Sequence, residues 1–261
     1  MARIIDMDLK LRGSMGGMIF TEDEYGPIAR KKPEGPIKLT KATLETSVEY
    51  GGASMAAKAL RRALSSKKRG LEDHYFSGRL SGKMQKIVAL DQGERGARKL
   101  DVRKNGEPLK AFEFFKARPL VYSIGGIKEE PTLNHGRNEV YWTSPSLNPK
   151  EQITAPAGTT HFTFIFCAAT VTNYHYNTHK KKYVPLEPKH SGVNALVESE
   201  PIDLRQRTIA PIGMHLKLDE AKSIPEEVAV VSAVGVCFYK NVNGELLKVE
   251  NAGGMRILGV G

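Results

Sequence analysis

Tryptophan occurs once and cysteine twice in these 261 residues, and no apolar run approaches the length of a membrane span. The two cysteines, Cys167 and Cys237, sit inside apolar stretches, where a thiol behaves as a small hydrophobe. They could face each other if those stretches pair as strands, but nothing else speaks for an oxidising compartment. There is no Asn-x-Ser/Thr sequon, and the opening residues, MARIIDMDLKLR, lack the apolar core of a signal peptide. These absences point to cytoplasmic synthesis without a signal peptide, compatible with release as part of a particle, and to no membrane partner.

Catalytic signatures are missing as well. No Walker loop, no Gly-x-Gly-x-x-Gly after a strand and no serine in a glycine elbow is present. A thiol in an apolar strand holds little thiolate. The neighbouring carboxylates Glu129-Glu130 and Glu226-Glu227 point to opposite faces of an extended chain instead of converging. His175 and His179 have the spacing of a metal pair only on a helix. Residues 172–182 have poor helical periodicity and run into Lys180, Lys181 and Lys182, so they read as a polar loop. Tyr174 and Tyr176 beside those lysines are also the residue types that stack on and neutralise single-stranded nucleic acid. Tyr141 and Trp142 read as sheet-packing residues. The expectation is an enzyme-free chain with no catalytic residue, no metal and no cofactor.

What the chain does have is two stretches apolar on both sides, residues 161–171 (HFTFIFCAATV) and 228–239 (VAVVSAVGVCFY). In an extended strand Phe162, Phe164 and Phe166 share one face and Ile165, Cys167, Ala169 and Val171 the other. Such strands belong to a sheet covered on both faces, by the rest of the chain or by another subunit. The 40% hydrophobic content suffices for a core of that kind. The net charge of +10 is uneven: residues 1–110 hold 23 Lys and Arg against 14 Asp and Glu, and residues 111–261 hold 16 against 15. A basic region of this kind suits nucleic acid or an acidic protein surface.

In chain order, Ile5, Met7, Leu9 and Leu11 alternate with charged residues as in a half-buried strand, and Gly13-Ser14-Met15-Gly16-Gly17 breaks it. Short extended pieces follow at residues 18–21 and 28–30, so residues 1–36 read as a β-arm. Residues 37–100 read as a basic helical hairpin. Its first helix, capped by Thr40 or Thr43, has the stripe Leu44, Val48, Gly52, Met55, Ala56, Ala59 and Ala63, with Gly51-Gly52 as a weak point or a close-packing spot. Its second, capped by Asp73, has Phe76, Leu80, Met84 and Ile87. Residues 92–99 read as a linker. Residues 101–261 read as an antiparallel β-sandwich, Ig-like, with strands at 111–117, 139–143, 197–204, 214–218 and 255–260. Asn105-Gly106 and Asn243-Gly244 are expected to make tight hairpin turns. The fold class is therefore α+β.

Several segments together resemble an uncharacterised family of Bacteroidota bacterial proteins: GSMGGMIF at 13–20, RKKP at 30–33, YGGAS at 50–54, KALR at 58–61, LD at 90–91, RGAR at 95–98 and VGVCFYKNVNG at 234–244. That family has no established activity, so the resemblance implies a shared layout and no site residues.

The strongest local anomaly is basic. Residues 51–71 contain no acid, and Lys58, Arg61, Arg62, Lys67, Lys68, Arg69, Arg79, Lys83 and Lys86 read as a contact set for phosphate or a partner. The expected function is a non-enzymatic structural subunit of a homo-oligomeric assembly (filament, tube or phage-like particle), self-associating through its N-terminal strand. The alternative is a nucleic-acid-binding protein that uses the basic hairpin.

Overall fold

The structure, a computed structural model, describes residues 2–3, 12–23, 26–35, 38–64, 70–218 and 223–261. The chain forms two units, Met1–Thr43 and Leu44–Gly261. The first is a four-stranded antiparallel sheet made of β1 (Ala2–Arg3), β2 (Gly13–Met15), β3 (Met18–Asp23) and β4 (Gly26–Lys31), in the order β1-β4-β3-β2. Gly16 and Gly17, at φ +58° and +74°, make the two-residue turn between β2 and β3, a backbone that side-chain-bearing residues resist. The pairs Met15–Met18 and Phe20–Ala29 put an apolar row on one face, yet Ala29 is the sole buried apolar residue among the described residues of this unit. Residues 4–11, the body of the expected N-terminal strand, lie outside the described residues.

Next come α1 (Lys41–Leu64), α2 (Phe76–Ala89), α3 (Val102–Asn105), α4 (Leu120–Ser123), β5 (Thr132–Leu133), β6 (Glu139–Thr143) and α5 (Pro149–Gln152). They are followed by β7 (His161–Thr172), β8 (Tyr174–Asn177), β9 (Lys182–Pro185), β10 (Asn194–Glu198), β11 (Ile202–Asp203), β12 (Gly213–Lys217), β13 (Val228–Val242), β14 (Glu245–Lys248) and β15 (Gly254–Val260). No helix among the described residues is long and apolar enough to cross a membrane.

The two doubly apolar stretches are β7 and β13, paired antiparallel from His161–Tyr239 to Thr172–Val228. On their outer edges β7 carries β10 and β11, and β13 carries β14 and β15. The expected alternation is what builds the core. Phe162, Phe164 and Phe166 join Val140, Trp142, Met214 and Leu216 from the three-stranded sheet β12-β6-β5. Ile165, Cys167, Ala169 and Val171 face the helical residues Ala53, Leu60, Phe76, Leu80 and Met84. Both covering layers come from this chain, so the two-sided apolar character of β7 and β13 needs no second subunit.

The α+β class holds, with two antiparallel sheets facing each other and helices on the far side of the larger one. Several local expectations change. Asn105-Gly106 ends a short helix, with Gly106 at φ −72°, and makes no hairpin turn; Asn243 and Gly244, at +54° and +90°, do turn β13 into β14. Residues 111–117 form no strand: Ala111 at φ +59° breaks the extension, and single backbone bonds tie the segment to β15, the Phe112 carbonyl accepting the Ile257 N–H and the Phe114 N–H donating to the Met255 carbonyl. The expected strand over 197–204 is split into β10 and β11 around Pro201, which has no N–H to give to a ladder.

In α1, Thr40 Oγ1 accepts the Thr43 N–H at 3.2 Å as expected of a cap, but Leu44 and Met55 are exposed while Glu49 is buried. The inward face is turned toward Gly52 because the Tyr183 ring lies directly against it. A Cβ at Gly52 would come within 2.4 Å of Tyr183 Cγ, so the Gly51-Gly52 pair contains a close-packing spot. Gly52→Ala is therefore expected to destabilise by about 1–3 kcal/mol through overpacking, against a helix-propensity gain of about 1 kcal/mol. Chemical denaturation of the variant checks this, and a stabilised protein would show that the ring yields.

Candidate functional site

The described members of the basic set differ in exposure. Lys67, Lys68 and Arg69 lie outside the described residues. Lys58 and Arg62 on α1 and Lys86 on α2 are exposed, and Lys83 is half-buried. Arg61 is half-buried and lines a cavity of about 220 Å³ with Glu72, Asp73, His74, Phe76 and Ser77 at the start of α2.

Arg79 has a different role from the one its helical spacing to Lys83 and Lys86 implies. Its Nη1 donates to the Glu113 carbonyl at 2.7 Å, and its Nη2 donates to Asp73 Oδ2 at 2.7 Å and to the Phe114 carbonyl at 2.8 Å. The guanidinium lies 4.9 Å from the centre of the Phe112 ring. Asp73 does not cap α2, whose Ncap position is taken by Tyr75 without a side-chain bond. The Asp73 carboxylate is taken up by Arg79 and by the Lys116 N–H at 2.8 Å. Arg79 is thus a clamp that fastens residues 113–116 to α2, with few donors left for a phosphate.

The presumed linker is also anchored. Gly96 N donates to the buried Glu49 carboxylate at 2.7 Å, Arg95 donates to Thr46 Oγ1 at 2.6 Å, and Asp91 Oδ2 accepts the N–H groups of Gly93 and Lys99. The buried acid in α1 is compensated from this loop by the Gly96 N–H and by the Arg98 guanidinium, 3.9 Å away.

Where β7 ends, Asn173 is buried and organises a polar cluster that sequence reasoning missed. Its Oδ1 accepts the Val102 N–H at 2.8 Å, and its Nδ2 donates to Asp101 at 3.0 Å and Glu227 at 2.9 Å. Lys99 Nζ stands 3.0 Å from Glu227. Hydrogen bonds from Asn173 first, then from Lys99, hold the Glu227 carboxyl below its usual range. Glu226 pairs with Arg103, Glu227 with Lys99 and Glu130 with Lys110, and Glu226-Glu227 lie in a turn and not in an extended segment. The cluster joins α3 to the strand ends through mutual bonds.

Residues 174–185 form a hairpin, where residues 172–182 were expected to be a loop. β8 and β9 pair from Tyr174–Pro185 to Asn177–Lys182, with Lys181 at φ +47° in the turn. His175 lies on the strand and His179 in the exposed tip, so the helical spacing of a metal pair does not apply. Among the described residues no three His, Cys, Asp or Glu side chains are grouped to hold a metal ion. The tip carries Lys180, Lys181 and Lys182 on a braced base: the Tyr183 hydroxyl donates to the Arg98 carbonyl at 2.7 Å, and its ring packs on Gly52.

Cys167 lies opposite Ala233 and Cys237 opposite Thr163. Four residues of strand therefore separate the thiols, roughly 13 Å at strand rise, too far for a disulfide. Trp142 is buried against Phe164 at 5.4 Å between ring centres, as expected. Tyr141, the next residue on β6, is instead exposed on the opposite face, stacked on His215 at 4.6 Å and bonded to Glu139.

No family model, curated protein or solved structure matches this chain. Two groups of exposed cations stand out in the described geometry, Lys58, Arg62 and Lys86 on the helices and Lys180–Lys182 on the hairpin tip. The hairpin tip could be suspected from three successive lysines; Asn173 left no signal, since a lone Asn after a strand resembles any turn residue.

Proposed function

We propose that this protein is a non-enzymatic structural subunit of a homo-oligomeric assembly, a filament, tube or phage-like particle. The observation that carries the reading is the Met1–Thr43 sheet. Among its described residues that unit has no second layer, its apolar row Met15, Met18 and Phe20 is exposed or half-buried, and the outer edge of β2 has no strand beside it. An antiparallel sheet needs a covered apolar face to be stable, and an open edge invites another strand. A second copy supplies both. A sandwich reading of residues 101–261, Ig-like in kind, is supported by the sheets that meet across Trp142 and Phe164, although the helices on the other face are an addition to that plan.

Sizing with light scattering at two salt concentrations tests the proposal. The full chain is expected to run as an oligomer in both, and the variant with Met15, Met18 and Phe20 all changed to Ser as a folded monomer. A full chain that is monomeric at high concentration in all salts overturns it. The alternative, nucleic-acid binding, is favoured by the exposed Lys58, Arg62 and Lys86 together with the lysine-tipped hairpin. It requires affinity that falls steeply with salt, since each phosphate contact contributes about 0.9 to the log–log slope.

A further inference from the structure

β15 carries Arg256 between Met255 and Ile257, both buried on the helix side, so the arginine projects to the other side of the strand. There it borders a cavity of about 430 Å³. Leu120, Val121, Ile124 and Ile127 form its walls, and Lys128 stands exposed beside Arg256. The wall is held close to the strand: a Cβ at Gly254 would come within 2.9 Å of Leu120 Cα, so the backbones touch there.

The arginine is poorly supplied with acceptors. Its Nη2 donates to the Ile127 carbonyl at 3.2 Å, its Nη1 makes a long ion pair with Glu113 at 3.9 Å without a hydrogen bond, and its Nε is buried without a partner. Glu113 in turn accepts the Leu120 N–H at 2.9 Å, and burial raises its carboxyl above the usual range. A guanidinium offers five donors in a planar fork, and leaving them unmatched in a partly desolvated site is costly. The clamp residue Arg79 also has a buried Nε without a partner, but its two Nη groups reach three acceptors.

We propose that this cavity binds a small monocarboxylate with an apolar body, its carboxylate on the Arg256 fork and its body against Leu120, Val121, Ile124 and Ile127. The volume lies in the usual range for small-ligand sites, about 300–1,000 Å³, and an apolar pocket with a few polar groups, here Arg256 and Lys128, is their usual make-up. A carboxylate suits a single guanidinium better than a phosphate does. Its two oxygens match the fork, whereas a phosphate would bring additional charged oxygens against hydrocarbon.

The test is calorimetric titration of the full chain with phenylacetate, 2-phenylethanol and inorganic phosphate. Phenylacetate is expected to bind saturably, with the alcohol and the phosphate each at least tenfold weaker. Arg256→Lys, which keeps the charge and removes the fork, is expected to weaken phenylacetate severalfold. Arg256→Met is expected to abolish the preference for phenylacetate over the alcohol; if it fails to fold, the lysine variant and the wild-type ligand series still decide. Absence of saturable phenylacetate binding at millimolar concentration, equal binding of the alcohol, equal binding of phosphate, or no change in Arg256→Lys overturns the site. These readouts do not depend on the oligomeric state.

Discussion

Replacing Phe164 by Ala is expected to lower folding stability by about 3–5 kcal/mol, the largest effect of any single core truncation proposed for this chain. Phe164 is fully buried in the middle of β7, edge-on to Trp142 at 5.4 Å and to Phe162 at 5.5 Å. Its backbone is held opposite Val236 in β13, and its N–H donates to Ser199 Oγ at 2.9 Å. A central strand bonded on both edges cannot move inward to fill the space left by a ring, so the cavity persists and the full transfer and packing loss is felt. Phe164→Leu retains much of the volume and is expected to lose about 1–2 kcal/mol. Urea titration at constant slope reads both. A loss below 1 kcal/mol for the Ala variant would mean that the two sheets do not pack through this ring.

The second large effect separates a structural cation from surface ones. Arg79→Met is expected to destabilise by about 2–3 kcal/mol, because it removes the guanidinium from the largely buried Asp73 carboxylate and the donor from the Glu113 carbonyl, while the Phe114 carbonyl keeps only the Asp73 N–H. The figure is set below that of a fully buried pair because the Arg79 side chain keeps 24% of its exposure and Asp73 retains the Lys116 N–H. Lys86→Met on the same helix, at an exposed position, should change stability by less than about 0.5 kcal/mol. Combining Arg79→Met with Asp73→Asn should cost less than the sum of the two single changes, since the second removes the orphaned charge. Equal, small effects at positions 79 and 86 would restore Arg79 to the surface and return it to the phosphate-contact set.

Much of the second unit was legible because β7 and β13 are so strongly patterned. Alternation in Phe162–Phe166 against Ile165–Val171 assigns each residue its face whatever covers it, and the helical stripe Phe76, Leu80, Met84 and Ile87 does the same for α2. Legibility fell where two elements far apart in sequence share one group. Arg79 has a solvent-type helical spacing, but the segment carrying the Glu113 and Phe114 carbonyls folds back across it. Residues 111–117 alternate like a strand, yet Ala111 turns to positive φ where they meet β15.

The sequence by itself determined the class of fold, the two central strands, the two main helices, the Asn243-Gly244 turn and the uneven charge. These follow from local periodicity and backbone preference, which depend only on neighbours along the chain. Tertiary structure alone decided that both faces of the central sheet are covered from within, that Tyr183 occupies the hollow at Gly52, that Arg79 points inward and that Arg256 borders an apolar cavity with unmatched donors. Each of these depends on which distant groups arrive at one place, and the energy of a buried charge or a missing Cβ is set by those arrivals and not by the residue that carries it.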